Sequence, residues 1–259
     1  MCGRYQRRSD KRRIAEAFQL GTPDEPDSSV DLGVELGLAP NYNAAPGTMQ
    51  PVVVWDEAPG MRTLRMMHWR FLPPFCTDPK KLDTIHASAE KLLSSGVWRK
   101  SFLYRRCLIP ADAFVEWRRV SPKIKLPFVF AMKAGEPFGI AGIWQHWRSP
   151  DGATELDTFA VVTVEPNEIV YDMTNHNRMP LLIKRSDYER WLRDDNAQQP
   201  PVDLLRPFDS DQMKSWQVST RINSVRNNDS SLAEPCPDSK TASEADTAQL
   251  EMFGGLTDA

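Results

Sequence analysis

The sequence predicts an α+β fold in which a mainly antiparallel β core is flanked by short helices. Three observations carry this expectation. Seven runs rich in apolar, β-branched and aromatic residues follow one another between residues 52 and 164. Several are joined by turn signals such as Gly135-Glu136-Pro137 and Pro150-Asp151-Gly152. No regular helices intervene between them, as a doubly wound parallel sheet would require.

Taken in order, Ser9-Asp10 ahead of Lys11 to Leu20, with Ile14, Ala15, Ala17 and Phe18 on one face and Gly21 at the end, reads as a capped helix. Residues 22–40, rich in Pro, Asp and Gly, read as a surface loop. The expected strands are Val52 to Trp55, Thr63 to Trp69, Arg106 to Ile109, Phe114 to Trp117, Pro127 to Met132, Phe138 to Trp144 and Phe159 to Val164. Ala89 to Ser95 reads as a short helix, and Ser186-Asp187-Tyr188-Glu189 as a capping box that opens another through Trp191 and Leu192. Beyond about residue 230 the chain turns small, polar and acidic and is expected to be disordered. The organisation is one domain over residues 1–235 followed by an acidic tail over 236–259.

Length and composition fit this: 259 residues with 41% hydrophobic content are enough for a substantial core. No apolar run approaches a membrane span and no signal-like region opens the chain, so a cytoplasmic protein is expected. Cys2, Cys76, Cys107 and Cys236 have no paired spacing, and His68, His86, His146 and His176 stand apart. Neither a disulfide framework nor a metal site is expected, and no cofactor is called for. Of the formal net charge of −3, −5 falls on Ser231 to Ala259, which leaves +2 on residues 1–230. A mildly basic body is compatible with a phosphate backbone but is not the signature of a dedicated nucleic-acid binder.

The first residues, Met1-Cys2-Gly3-Arg4, carry the most specific chemistry. Removal of Met1 makes Cys2 the terminus, with an α-amine beside its own thiol. Such an aminothiol condenses with an aldehyde to a Schiff base, and the thiolate then closes a five-membered thiazolidine. An α-amine titrates near ~7.7–8.0 and a thiol near ~8.5, so modest tuning makes both nucleophilic at neutral pH. Four further segments put catalytic residue types at turn or strand-end signals: Asn43-Ala44-Ala45-Pro46-Gly47, Glu116-Trp117, His176-Asn177-Arg178-Met179-Pro180, and Ser219-Thr220 leading into Asn223-Ser224-Val225-Arg226-Asn227. Singly, each also has a structural reading: Asn43 and Pro46 as a turn, Glu116 as an outward strand residue, His176 as a hydrogen-bonded core histidine.

In order and spacing, these segments resemble the SOS-response-associated peptidase (SRAP) family from Cys2 to about Pro235. The resemblance also rests on Arg105-Arg106-Cys107-Leu108-Ile109-Pro110-Ala111-Asp112, Phe114-Val115-Glu116-Trp117 and Val218-Ser219-Thr220-Arg221-Ile222-Asn223. It implies a barrel-like fold and covalent crosslinking to abasic sites in single-stranded DNA. Cys2 would join the ring-opened sugar aldehyde, Glu116 would shuttle protons, and His176 would hold or protonate the released sugar oxygen. Arg4 and Arg178 match phosphate-contacting positions, Asn43 and Pro46 shape the pocket, and Phe75 and Trp117 offer aromatic faces to unstacked bases. The family name implies a peptidase, whose one required cleavage is removal of Met1.

The chain departs from the family pattern at His86 and Ser88, where Asn and Arg are usual, at Arg70, where Gly is usual, and at Ala113, again in place of Gly. His86 retains a hydrogen-bond donor and Arg70 offers a substitute positive charge. In the tail, Gln249, Leu250, Met252 and Phe253 resemble the short peptide that docks bacterial repair proteins on the replication sliding clamp. The expected partner is single-stranded DNA with abasic sites, the expected state a monomer, and the expected location the nucleoid and replication fork. Two other functions stay open: a glutamine amidotransferase with an N-terminal Cys nucleophile, and a non-covalent single-stranded DNA-binding module.

Overall fold

The structure, a computed structural model, describes residues 3–21, 38–58, 60–82, 84–193 and 198–236. Cys2 and the clamp-like peptide Gln249, Leu250, Met252 and Phe253 therefore lie outside the described residues. In chain order the elements are β1 (Arg4–Arg7), α1 (Lys11–Phe18), β2 (Asn41–Ala44), β3 (Met49–Asp56), β4 (Met61–Trp69), β5 (His86–Ser88), α2 (Arg99–Tyr104), β6 (Arg106–Ala111), β7 (Ala113–Arg119), β8 (Lys125–Met132), β9 (Phe138–Arg148), β10 (Glu155–Val164), α3 (Glu168–Thr174), β11 (Met179–Pro180), β12 (Leu182–Ile183), α4 (Tyr188–Leu192) and β13 (Met213–Gln217).

The strands form two sheets. One runs β13-β8-β7-β1-β2, and the other follows β11-β10-β4-β3-β6-β9-β12. In the second, β10 also pairs β9 over seven positions from Glu155↔Arg148 to Val161↔Gly142, which closes β3, β4, β6, β9 and β10 into a five-stranded ring. The expected α+β, mainly antiparallel and barrel-like fold is thus what the chain adopts. Two pairings are parallel, β10 with β4 and β10 with β5. Both join strands far apart in sequence, where the connection is long enough to permit a parallel return.

Every residue of β6 is buried, and β10 is buried from Thr158 onward, so these strands read as continuous apolar runs rather than alternating ones. Gly142 shows how tightly the ring is packed: a Cβ there would stand 2.7 Å from Ile109 Cδ1 and 2.8 Å from Cys107 Sγ. Only glycine lets β9 come this close. The five-stranded sheet packs one face on the main core through Phe114 and Phe130. Its other face, with Ala113, Val115, Val129 and Ala131, is covered by Val218, Ile222 and Leu232 from the C-terminal segment.

The first helix is capped at its start as expected, Asp10 accepting from the Arg13 N–H, but it ends at Phe18 rather than Leu20, with Gln19 and not Gly21 turning the chain out in the left-handed conformation at φ 51°. The expected helix over Ala89 to Ser95 is a single 3-10 turn, Ala89–Lys91. The capping box at residue 186 is replaced by a 3-10 turn, Arg185–Asp187, that runs into α4 without a side-chain cap.

Candidate functional site

The chain start is built into the five-stranded sheet, where β1 lies between the central strand β7 and the edge strand β2. β1 runs antiparallel to β7 with Arg4↔Val115, Tyr5↔Phe114 and Gln6↔Ala113. One further step of that register sets Gly3 against Glu116. Backbone pairing alone therefore brings the terminus of the chain to this carboxylate. Glu116 is 1% exposed and sits between β1 and β8, opposite Phe128. By strand alternation it shares a face with Phe114, whose ring stacks on Phe130 at 5.0 Å. Burial pushes the Glu116 carboxyl up to about 7, against the positive charge of the amino terminus, which pulls it down.

His176 follows α3, which packs against β7. Asn167 caps the start of that helix and Asn175, at φ 53°, turns the chain out of its end. The His176 Nδ1 accepts the Arg178 backbone N–H at 3.3 Å. The neutral ring then carries its proton on Nε2, as a donor. Burial lowers the His176 pKa, and the amino terminus and His86 lower it further. Glu116 and His176 thus share one electrostatic neighbour, the amino terminus, and His176 has a second in His86. His86 stands on β5, opposite Val161 of β10.

Arg4 and Asn43 form a clamp. Arg4 Nη1 donates to Asn43 Oδ1 at 2.7 Å and to the Ile222 carbonyl at 2.8 Å. Asn43, 5% exposed, donates from Nδ2 to the carbonyls of Ile222, Ser224 and Asn227 at 3.2, 2.9 and 2.9 Å. The pair ties the start of β1 and the end of β2 to the 219–227 segment. Trp117, beside Glu116, reaches the same segment through Nε1 to Asn223 Oδ1 at 2.7 Å. Pro46 is half-buried in the tight turn before Gly47, whose φ of 82° requires glycine.

Arg178 is held by an anion from within the chain. Its Nη1 and Nη2 grip Glu90 Oε1 and Oε2 at 2.7 and 3.1 Å, and Nη2 also donates to Thr163. This bond holds the Glu90 carboxyl below its usual range. Ser88 faces the same strand position, Thr163. Arg70 does not reach that cluster: its guanidinium donates to the Pro79 carbonyl at 3.3 Å. Phe75 stands on a loop with 65% of its surface exposed, anchored by buried Cys76 beside it.

Glu90 and the Ile222 to Asn227 carbonyl clamp are the site features that sequence reasoning missed. Glu90 lies within the segment Ile85 to Glu90, but its pairing arises from β5 lying alongside β10, a long-range parallel contact with no local signal. Among the described residues, no group of His, Cys, Asp and Glu is arranged to hold a metal ion, and no helix is long and apolar enough to cross a membrane.

Comparison with known proteins adds to this geometry. The sequence model of the SOS response associated peptidase (SRAP) family matches residues 1–225. Abasic site processing protein YoqW of Bacillus subtilis is 34% identical over 236 residues, covering 90% of this chain and 99% of its own. Abasic site processing protein YedK of Escherichia coli is 25% identical over 242 residues, covering 91% of this chain and 100% of its own. A crystal structure of a Bacteroides thetaiotaomicron protein shares the fold with a TM-score of 0.77 at 19% identity, covering 91% of this chain and 100% of that one. With the match running across the terminus, β7 and the turn after α3, the chain belongs to the SOS response associated peptidase family.

Proposed function

We propose that this protein traps abasic sites in single-stranded DNA as a covalent thiazolidine through Cys2 after removal of Met1. The observation that carries the reading is the β1–β7 register, which sets Gly3 against buried Glu116, whose carboxyl is raised by burial to about 7. The relatives named abasic site processing proteins support the substrate class.

In this mechanism the Cys2 amine adds to the C1′ aldehyde of the ring-opened sugar, and the resulting carbinolamine loses water to give an imine. The Cys2 thiolate then adds to the imine carbon, and the nitrogen takes up a proton to close the ring. One water leaves overall, and no oxidant or cofactor enters. Glu116 accepts the ammonium proton and returns it to the departing hydroxyl. A carboxyl near 7 facing an α-amine near ~8 is well matched for such transfers. His176 presents Nε2–H to the sugar oxygen freed when the ring opens. Loss of Met1 is the one peptidase step the mechanism needs. Arg178 and Arg4 flank the DNA path, and Phe75 and Trp117 offer ring faces to the unpaired bases. The site reads damage and strandedness rather than base identity, which fits a shield for exposed lesions at the replication fork.

Purified, Met1-processed protein mixed with single-stranded DNA bearing one abasic site is expected to give a denaturation-resistant adduct. Its mass should equal protein plus DNA minus one water. Cys2→Ala should abolish it, and Glu116→Gln should slow its formation by about 100-fold or more, within the range of general acid–base contributions. Glutaminase activity lost in Cys2→Ala would instead favour an amidotransferase. DNA binding with no adduct at long times would favour a non-covalent binder.

A further inference from the structure

The β7–β8 hairpin projects from the end of the sheet that holds Glu116. That end collects Gly3, Glu116 to Arg119, Lys125 to Phe128 and the 219–227 segment, because β1 and β8 begin there while β7 and β13 finish there. From Glu116 to the turn at Ser121 and Pro122 the strand reaches about 15 Å at roughly 3.3 Å per residue. This equals about four stacked nucleotides at ~3.4 Å each.

The hairpin is charged with one sign. Arg118, Arg119, Lys123 and Lys125 are crowded into eight residues, and no acidic residue occurs between Glu116 and Glu136. Arg119 lies directly opposite Lys125 in the β7–β8 ladder. Like charges facing across a strand pair destabilise it. Elsewhere on the surface Arg12, Arg65, Arg148, Lys184, Arg190 and Arg221 each sit on a carboxylate. Among the described residues, no carboxylate approaches Arg119, Lys123 or Lys125 within ion-pair distance. The tip also exposes two aliphatic side chains, Val120 at 41% and Ile124 at 54%. Arg119 and Lys125 share the strand face of Trp117, whereas Arg118 lies on the Glu116 face, its guanidinium 5.5 Å over the Phe128 ring.

A repulsive pair with no carboxylate beside it among the described residues, next to the proposed chemistry, is the arrangement a polyanion relieves. We infer that the β7–β8 hairpin is a backbone-docking arm that binds the phosphates of the DNA strand flanking the lesion, through Arg119, Lys123 and Lys125. It extends the proposed function by adding a second contact outside the pocket, and it rests on that reading for the identity of the strand.

The test is the salt dependence of non-covalent binding to intact single-stranded DNA, with no abasic site, by fluorescence anisotropy. Neutralising phosphates releases counterions with a slope of about −0.7 per contact in log K against log salt for single strands. The triple variant Arg119→Ala, Lys123→Ala, Lys125→Ala is expected to bind more weakly at low salt, with the slope reduced in magnitude by about 2. The charge-keeping variant Arg119→Lys, Lys123→Arg, Lys125→Arg should retain the wild-type slope, and all three sites are exposed enough for a folded protein, checked by circular dichroism. An unchanged slope in the alanine variant overturns the docking arm, as does an equal loss in the charge-keeping one. The adduct assay is scored separately. Adducts with an unchanged slope sink the arm and leave the proposed function standing, whereas a hairpin-dependent slope without adducts does the reverse. No binding to intact DNA by the wild type overturns the arm outright.

Discussion

At the scale of single residues, Glu116 is kept at a cost to the fold. A buried carboxyl raised from 4.5 to about 7 is held in its neutral form by the folded state. The sign follows from the upward shift: below the unfolded value both states are protonated and nothing is lost. As pH rises from about 4.5 through 7 the unfolded chain ionises first, and stability falls until the folded carboxyl ionises too. Above about 7 the deficit is complete, on the order of 3 kcal/mol at about 1.4 kcal/mol per unit. Glu116→Gln keeps the shape and removes the ionisation. Its melting temperature is expected to match the wild type near pH 4.5 and to exceed it increasingly toward pH 8, while adduct formation falls. A melting difference that stays flat from pH 4.5 to 8 would mean that the carboxyl is not shifted by burial. Retaining a residue that lowers stability at working pH is the pattern of a functional group rather than a structural one.

At the scale of elements, the sequence signal was strongest where packing is two-sided. β6 is apolar from Cys107 onward and β10 mostly so from Phe159, and turn residues Gly135 and Gly152, both at φ 72°, mark the two ends of β9, the strand that pairs with both. β1 was not visible, because Arg-Tyr-Gln-Arg has no strand pattern of its own. Its polar side chains are buried by partners from afar: Gln6 donates to the Leu232 carbonyl at 3.0 Å, and Arg7 to those of Leu38 and Ala39 at 3.1 Å each. β5 and β13 were missed for the same reason, being short and polar and defined by the strand beside them. Within the site, Glu116 and His176 were legible through motif order, whereas the Glu90 and Arg178 pair was not, since it spans 88 positions. The 219–227 segment carries little regular structure, and Asn43 supplies the hydrogen bonds that a strand ladder would otherwise provide. Asn43→Ala leaves the Ile222, Ser224 and Asn227 carbonyls without this partner and removes one acceptor of the Arg4 guanidinium. It is expected to destabilise the protein by about 2 kcal/mol. Hydrogen exchange should show faster opening across 219–227 than across β6. Uniform destabilisation with no local increase would show that the clamp is not what holds the segment.

At the scale of the whole molecule, the fold separates what must be locked from what must be free. β1 lies between β7 and β2 inside the sheet, and Tyr5 is bonded through its hydroxyl to Gln50 at 3.0 Å. Among the described residues, the ladder pairs that secure the strand therefore start at Arg4. The proposed chemistry has the opposite requirement, because a nitrogen tied up in a peptide bond cannot form an imine. Folding and reactivity should consequently come apart when the terminus is blocked. A short extension placed ahead of Cys2 is expected to leave the melting temperature within about 2 °C of the processed protein, as surface changes usually do. The same protein should give no denaturation-resistant adduct with an abasic single strand. Proteolytic release of the extension, leaving Cys2 first, should restore adduct formation without a change in melting. An extended protein that forms adducts as fast as the processed one would show that the thiol acts without its neighbouring amine, and a large drop in melting would show that the terminus is part of the sheet's support.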